Sequence, residues 1–144
     1  MSSKDLGFIE NSIVDLERNL KANFEQYELP TNHYFLPGVY VRSLFIPCGV
    51  VLTGKVHNHE CINIVAKGRI AVASKDGEKI LVAGDIFKSG PGVKRAGFAL
   101  EDTLYVTIHR TDTVVLEELE DELVSESYDD YQKRIGVDTC RLQQ

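Results

Sequence analysis

Two imidazoles stand two residues apart in Gly54-Lys55-Val56-His57-Asn58-His59-Glu60. On an extended strand, residues i and i+2 project from the same face, so His57 and His59 read as a pair of nitrogen donors. On an inward face such a pair supplies half the shell of a first-row metal ion and needs a carboxylate, for which Glu60 is nearest, and one further ligand. Glu60 follows His59 directly, however, and alternation turns it to the opposite face unless the strand bulges. Two donors alone hold a metal loosely. The expectation is therefore no resident cofactor, with a divalent transition metal (Fe, Mn, Ni or Zn) at His57, His59 and Glu60 as the alternative.

The second polar stretch is Gly84-Asp85-Ile86-Phe87-Lys88-Ser89-Gly90-Pro91-Gly92-Val93-Lys94-Arg95. The guanidinium of Arg95 stays protonated and cannot ligate a cation. It suits an anion instead: Arg95, Asn63, His57 and His59 around one concave mouth would hold a carboxylate or a phosphate. An ordinary rim ion pair with Asp or Glu fits Arg95 equally well. In Thr103-Leu104-Tyr105-Val106-Thr107-Ile108-His109 the apolar Leu104, Val106 and Ile108 share one face, and parity puts His109 on the other, outward side. Cys48, Cys61 and Cys140 are too few and too far apart for a zinc framework or a full set of disulfides, and read as free thiols. His33 has no evident partner. No Walker loop, dinucleotide fingerprint or basic-aromatic stripe occurs.

The elements that must position these groups follow from periodicity. From Ser3 to Gln26, Leu6, Ile9, Ile13, Leu16, Leu20 and Phe24 recur at steps of three and four, which predicts an amphipathic helix with Ser3 as cap, Asp5 in its first turn and a Glu17–Lys21 pair on its polar face. Its apolar stripe needs a partner, either the same chain or a neighbour. Leu29-Pro30 and Leu36-Pro37-Gly38 mark a linker. Residues 39 to 110 carry short β-branched runs, predicted as strands at Val39–Ile46, Val50–His57, Ile62–Ala66, Arg69–Ser74, Lys79–Val82, Ile86–Lys88, Arg95–Ala99 and Thr103–His109, with an Asp76-Gly77 hairpin turn. Leu116, Leu119 and Leu123 predict a short helix after them. From Ser125 onward the chain is polar, anchored only by Tyr128, Tyr131 and Ile135, and is expected to order against a partner. The division is thus helix and linker (1–38), barrel (39–110), then helix and acidic tail (111–144).

Composition narrows the function. The net charge of −6, concentrated in Glu117–Glu122 and Asp129-Asp130, excludes a broad nucleic-acid surface, which needs clustered Lys and Arg. A solvated helix face explains the acid better than an acidic docking surface. No apolar run reaches the length of a signal peptide or a membrane span, so the expected location is the cytosol or a particle assembled there.

Together, His-x-His followed by Glu60 and by Gly68 at a turn, then the Gly84-Asp85 to Pro91-Gly92 stretch, resemble the two conserved motifs of the cupin superfamily. The wording from Gly54 through Ile70, and again from Pro91 to His109, is similar to small single-domain cupins encoded by tailed phages. The resemblance implies an all-β, cupin-like jelly-roll β-barrel with an N-terminal amphipathic helix and a short C-terminal helix. It also implies that Arg95 stands where a third ligand His belongs. Three functions follow. The first is a non-catalytic binding or structural module of a phage, in the host cytoplasm or the virion, forming homo-oligomers or docking on other phage structural proteins. The second is a small-ligand or anion-sequestering protein using Arg95, Asn63, His57 and His59. The third is a metal-dependent cupin oxygenase or isomerase. Nucleic acid and membrane are not expected partners.

Overall fold

In a two-layer β fold each strand must send alternate side chains into the space between the sheets, and β5 shows this most plainly, with Cys61, Asn63 and Val65 buried in alternation. The computed structural model describes the backbone of residues 3–136 and the side chains of residues 12–136. Ser3 as a cap, Asp5, Leu6, Ile9 and Cys140 therefore fall outside the described side chains.

The first element is helix α1 (Ser3–Asn23), followed by β1 (Thr31–Leu36), β2 (Val39–Ile46), β3 (Val51–Thr53), β4 (Val56–His57) and β5 (Cys61–Lys67). Then come β6 (Arg69–Ser74), β7 (Gly77–Val82), β8 (Ile86–Ser89), β9 (Ala96–Ala99) and β10 (Thr103–Arg110). The chain continues into α2 (Leu116–Leu123), β11 (Val124–Ser125) and α3 (Tyr128–Arg134). One sheet has the order β1-β2-β10-β5-β8 and the other β3-β9-β6-β7, while β11 pairs with β4 in a separate ribbon. All pairings are antiparallel. Two antiparallel sheets whose neighbours are mostly distant in sequence make a jelly roll.

The core between the sheets is built on Ile46, Val65, Ile70, Leu81 and Ala99, with Leu44, Leu52, Phe87 and Tyr105 packed around it. Each large aliphatic side chain fully buried here contributes about 1.5–3 kcal/mol. Gly68 (φ +89°) makes the tight turn from β5 to β6, where an added Cβ would lie 2.2 Å from the Asp102 carbonyl oxygen.

Three stretches differ from the sequence expectation. Thr31–Leu36, inside the expected linker, is an edge strand paired along its whole length with β2; the flanking prolines punctuate a strand instead of a loop. The expected strand Val50–His57 breaks at Gly54, whose N–H donates to the Arg95 carbonyl, leaving β3 and β4 in different sheets. Of the tail after Ser125, the described residues 126–136 order on their own chain. Ser127 caps α3 by accepting from the Asp130 N–H, and Gly136 (φ +78°) lies just past its end. Tyr131 packs against Gly92, at 3.1 Å from where a Cβ would stand.

Helix α1 lies on β3 and β6 of its own chain, with Ile13 buried. Its anchor is Lys94, 2% exposed, whose ammonium donates to Glu17 Oε2 at 2.7 Å and to the Gly54 carbonyl at 2.7 Å. Glu17 also accepts from the Thr53 hydroxyl at 2.9 Å and pairs with Lys21 at 3.7 Å.

Candidate site at the barrel mouth

Because Tyr105 and His109 share a face with Tyr40 of the next strand, the polar side of β10 turns inward, opposite to the expected parity. His109 is 7% exposed and stacks on Tyr40 with ring centroids 5.8 Å apart. The sequence criterion failed because it assigned the more apolar face of β10 to the core. Here Leu104, Val106 and Ile108 face outward, while the interior takes polar groups that satisfy one another.

Those groups form two connected sets. The first is a run of rings: His33 Nδ1 meets the Tyr40 hydroxyl at 2.6 Å, Tyr40 stacks on His109, and His109 lies 6.3 Å from His57 between centroids. His57 Nδ1 is in turn 3.3 Å from Cys61 Sγ. The second set is a hydrogen-bond chain. The Tyr105 hydroxyl donates to Asn63 Oδ1 at 3.1 Å, Asn63 Nδ2 donates to Ser89 Oγ at 2.7 Å, and Arg95 Nη1 donates to the same Ser89 hydroxyl. The Arg95 guanidinium also lies over the Phe87 ring, 5.1 Å from its centroid, and reaches Asp76 at 4.0 Å.

Electrostatics follow from this packing. Burial, with the positive field of His109, Arg95 and Arg42 added, drives His57 down to about 4. Burial, with Arg42 and His59, does the same to His109, also to about 4. Burial pushes Tyr105 up to about 12 against the opposing effect of Arg95, and raises the Cys61 thiol. Near neutral pH His57, His109, Tyr105 and the Cys61 thiol are thus uncharged, and guanidiniums bear on them.

Of the residues singled out from sequence, Arg95 and Asn63 meet through Ser89, and His57 lies close enough to Arg95 to feel its charge. His59 does not join them. Strand β4 ends at His57, and the next residue, Asn58, turns its amide inward. Its Nδ2 donates to the carbonyls of Asp121 and Glu122, and its Oδ1 accepts from Ser125 at 2.6 Å. That bend leaves His59 exposed. Glu60 is exposed as well, 3.5 Å from Lys88. Among the described residues no group of three His, Cys, Asp or Glu side chains is placed to hold a metal ion. The donor set, with Arg95 inside it, does not fit one.

The C-terminal segment lies across this mouth. Leu119 and Leu123 form a small core with Tyr40, Val124 and Ser125 pair with His57 and Val56, and Thr111 donates to Glu122 at 2.6 Å. Lys55 pairs with Glu120 and with Glu126, the latter at 2.8 Å. Tyr40, Ser89 and His109 were not singled out from sequence as site residues; an aromatic or histidine on the polar face of a central strand is the available signal.

No protein-family model and no curated protein matches the sequence. Solved structures do resemble the fold. KdgF from Halomonas sp. superposes with a TM-score of 0.51 at 21% identity, over 65% of this chain and 92% of that one. A Cupin 2 conserved barrel domain protein from Salinispora arenicola gives 0.51 at 19%, over 63% and 83%. Salicylate 1,2-dioxygenase from Pseudoaminobacter salicylatoxidans gives 0.53 at 15%, over 76% of this chain but 32% of that one. At such identities the likeness establishes the fold alone, an all-β cupin-type jelly roll.

Proposed function

On the premise of a cupin-type jelly roll, we propose that this chain is a non-catalytic binding and assembly module. It associates with itself and docks on other proteins of a phage particle, in the host cytoplasm or the virion. The observation that carries this reading is the closed mouth: α2 and β11 cover the end of the barrel at His57, with Leu119 of α2 packed on Tyr40 and 1% exposed. An enzyme of this fold needs that mouth open to substrate. The phage assignment rests on the sequence resemblance from Gly54 to Ile70 and from Pro91 to His109. No helix among the described residues is long and apolar enough to cross a membrane.

The donor set speaks against a metal-dependent oxygenase or isomerase, since His59 and Glu60 point to solvent and Arg95 holds the third position. Metal analysis of protein purified without chelator tests this. Content well below one equivalent, unchanged in His57→Ala, is expected; one equivalent of Fe, Mn, Ni or Zn that His57→Ala removes overturns the proposal.

Anion sequestration is the second reading, favoured by the two guanidiniums, Arg42 and Arg95, that bear on His57. It predicts a thermal shift with phosphate or an organic acid that disappears in Arg95→Ala.

A further inference from the structure

Helix α2 is poorly composed for a helix. Its acids Glu117, Glu118, Glu120, Asp121 and Glu122 put like charges four residues apart at Glu117–Asp121 and Glu118–Glu122, where they repel. Glu120, Asp121 and Glu122 crowd its C-terminal half against the helix dipole, and no base stands in its last turn. Its N-cap, Val115, offers no side-chain bond. Eight residues are also too few to stay helical alone. The run leading into it is exposed at Val114, Val115 and Leu116, so swinging α2 away uncovers nothing there. What makes α2 a helix is the surface beneath it.

That seat has a chemistry of its own. Tyr40 and Arg42 project from one face of β2. Tyr40 receives Leu119 and Leu123, while Lys55 pairs with Glu120 and Glu126. Arg42 is exposed, its strand neighbours are His33 and Thr107, and among the described residues its guanidinium joins no ion pair or hydrogen bond. Its charge adds to that of Lys55 in holding the Glu120 carboxyl below its ordinary value, yet the two groups do not pair. On a chain of net charge −6, the strap of α2 and β11 thus covers a basic surface that it neutralises only in part.

We propose that this seat, made by Tyr40, Arg42 and Lys55, is a docking site for an acidic peptide segment of another protein, with two leucines a helical turn apart among its carboxylates, and that α2 and β11 are its built-in mask. The proposal rests on the docking reading above and names the surface and the partner's chemistry. The seated strap shows what the surface accepts: apolar side chains at Tyr40 and carboxylates at the basic rim. A partner that also sets a carboxylate on Arg42 gains a charge-assisted contact that the strap lacks. Against it the strap has the advantage of attachment, an effective concentration of about millimolar. The mask therefore yields to a partner that assembly holds at close quarters, and stays shut against dilute ones.

The test is fluorescence anisotropy of a labelled peptide with the sequence of residues 115–126, titrated with the full chain. Leu119→Ala loosens the strap without touching the seat, and is expected to bind the peptide about tenfold more tightly than wild type. Added salt is expected to weaken that binding, and Arg42→Glu placed in the Leu119→Ala chain to abolish it. A peptide whose acids are replaced by Gln and Asn is expected not to bind. Circular dichroism checks the fold; if Leu119→Ala does not fold, Ser125→Ala, which removes only a strap bond to Asn58, gives the same comparison. No binding to the folded loosened chain, or equal binding of the neutral peptide, overturns the seat. A mass by light scattering that doubles only in the loosened chain gives the seat to a second copy's strap and overturns the partner. Wild type that self-associates while the loosened chain ignores the peptide overturns the seat alone; a wild-type monomer whose loosened chain binds the peptide overturns self-association alone.

Discussion

His57 and His109 are held uncharged side by side, and this has a consequence for acid stability. Both titrate near 4 in the folded chain, lowered first by burial and then, for His57, by His109, Arg95 and Arg42 and, for His109, by Arg42 and His59, against an ordinary value of 6.5. Between these limits the unfolded chain takes up protons that the folded chain refuses, so stability is full above about pH 6.5 and is lost as pH falls toward 4. The urea midpoint is expected to drop between pH 7 and pH 5, and His109→Phe, which keeps the stack on Tyr40, to flatten that drop. An equally steep fall in His109→Phe would show that other groups carry it. At Gly68 the backbone is left-handed and a methyl group would meet the Asp102 carbonyl and the Thr103 hydroxyl. Gly68→Ala is expected to cost about 2 kcal/mol or more, read as a lowered thermal midpoint. Gly68 was legible from the sequence because a turn glycine announces itself by type. The inward placement of His109 was not, because strand parity says which residues share a face but not which face is buried. Tyr105 and His109 go inward because Asn63, Tyr40 and His57 are there to meet them, and those partners lie 42, 69 and 52 positions away in the chain.

Among the elements, α1 and the C-terminal segment are each fixed by one buried polar clasp. Removing the carboxylate in Glu17→Ala strands the ammonium of Lys94 in the interior. Breaking a buried pair on one side costs about 3–5 kcal/mol, reduced here because Glu17 keeps some contact with water. In the intact protein burial alone would raise the Glu17 carboxyl, but the hydrogen bonds from Lys94 and Thr53 outweigh it and hold it below its ordinary value. Lys94→Met, which removes the charge and keeps the volume, is expected to be milder than Glu17→Ala in chemical denaturation; the reverse order would contradict the clasp. At the other end, Asn58→Ala leaves the Ser125 hydroxyl without its acceptor and removes the amide donor to the Asp121 and Glu122 carbonyls, the latter keeping its bond from Arg134, each lost bond costing on the order of 1 kcal/mol. Hydrogen exchange is expected to quicken in α2 and β11 while β2, β5 and β10 stay protected; uniform quickening would mean that the segment and the barrel open together. Periodicity revealed α1, α2 and most of the barrel strands, since a stripe or an alternation is local information. It hid β1 behind two prolines and α3 behind a polar composition, because both are stabilised by pairing with distant strands or by capping.

For the whole molecule, the fold keeps the cupin architecture while its mouth is closed by its own C-terminal segment and its histidine pair is divided, His57 inside and His59 outside. What remains available to partners is surface, which suits the proposed self-associating module without a resident metal. Native mass spectrometry of one untagged preparation, purified without chelator, reads mass and metal together. An even multiple of 16.1 kDa with no metal adduct is expected; a 16.1 kDa monomer carrying one tightly bound transition-metal ion would contradict the proposed function.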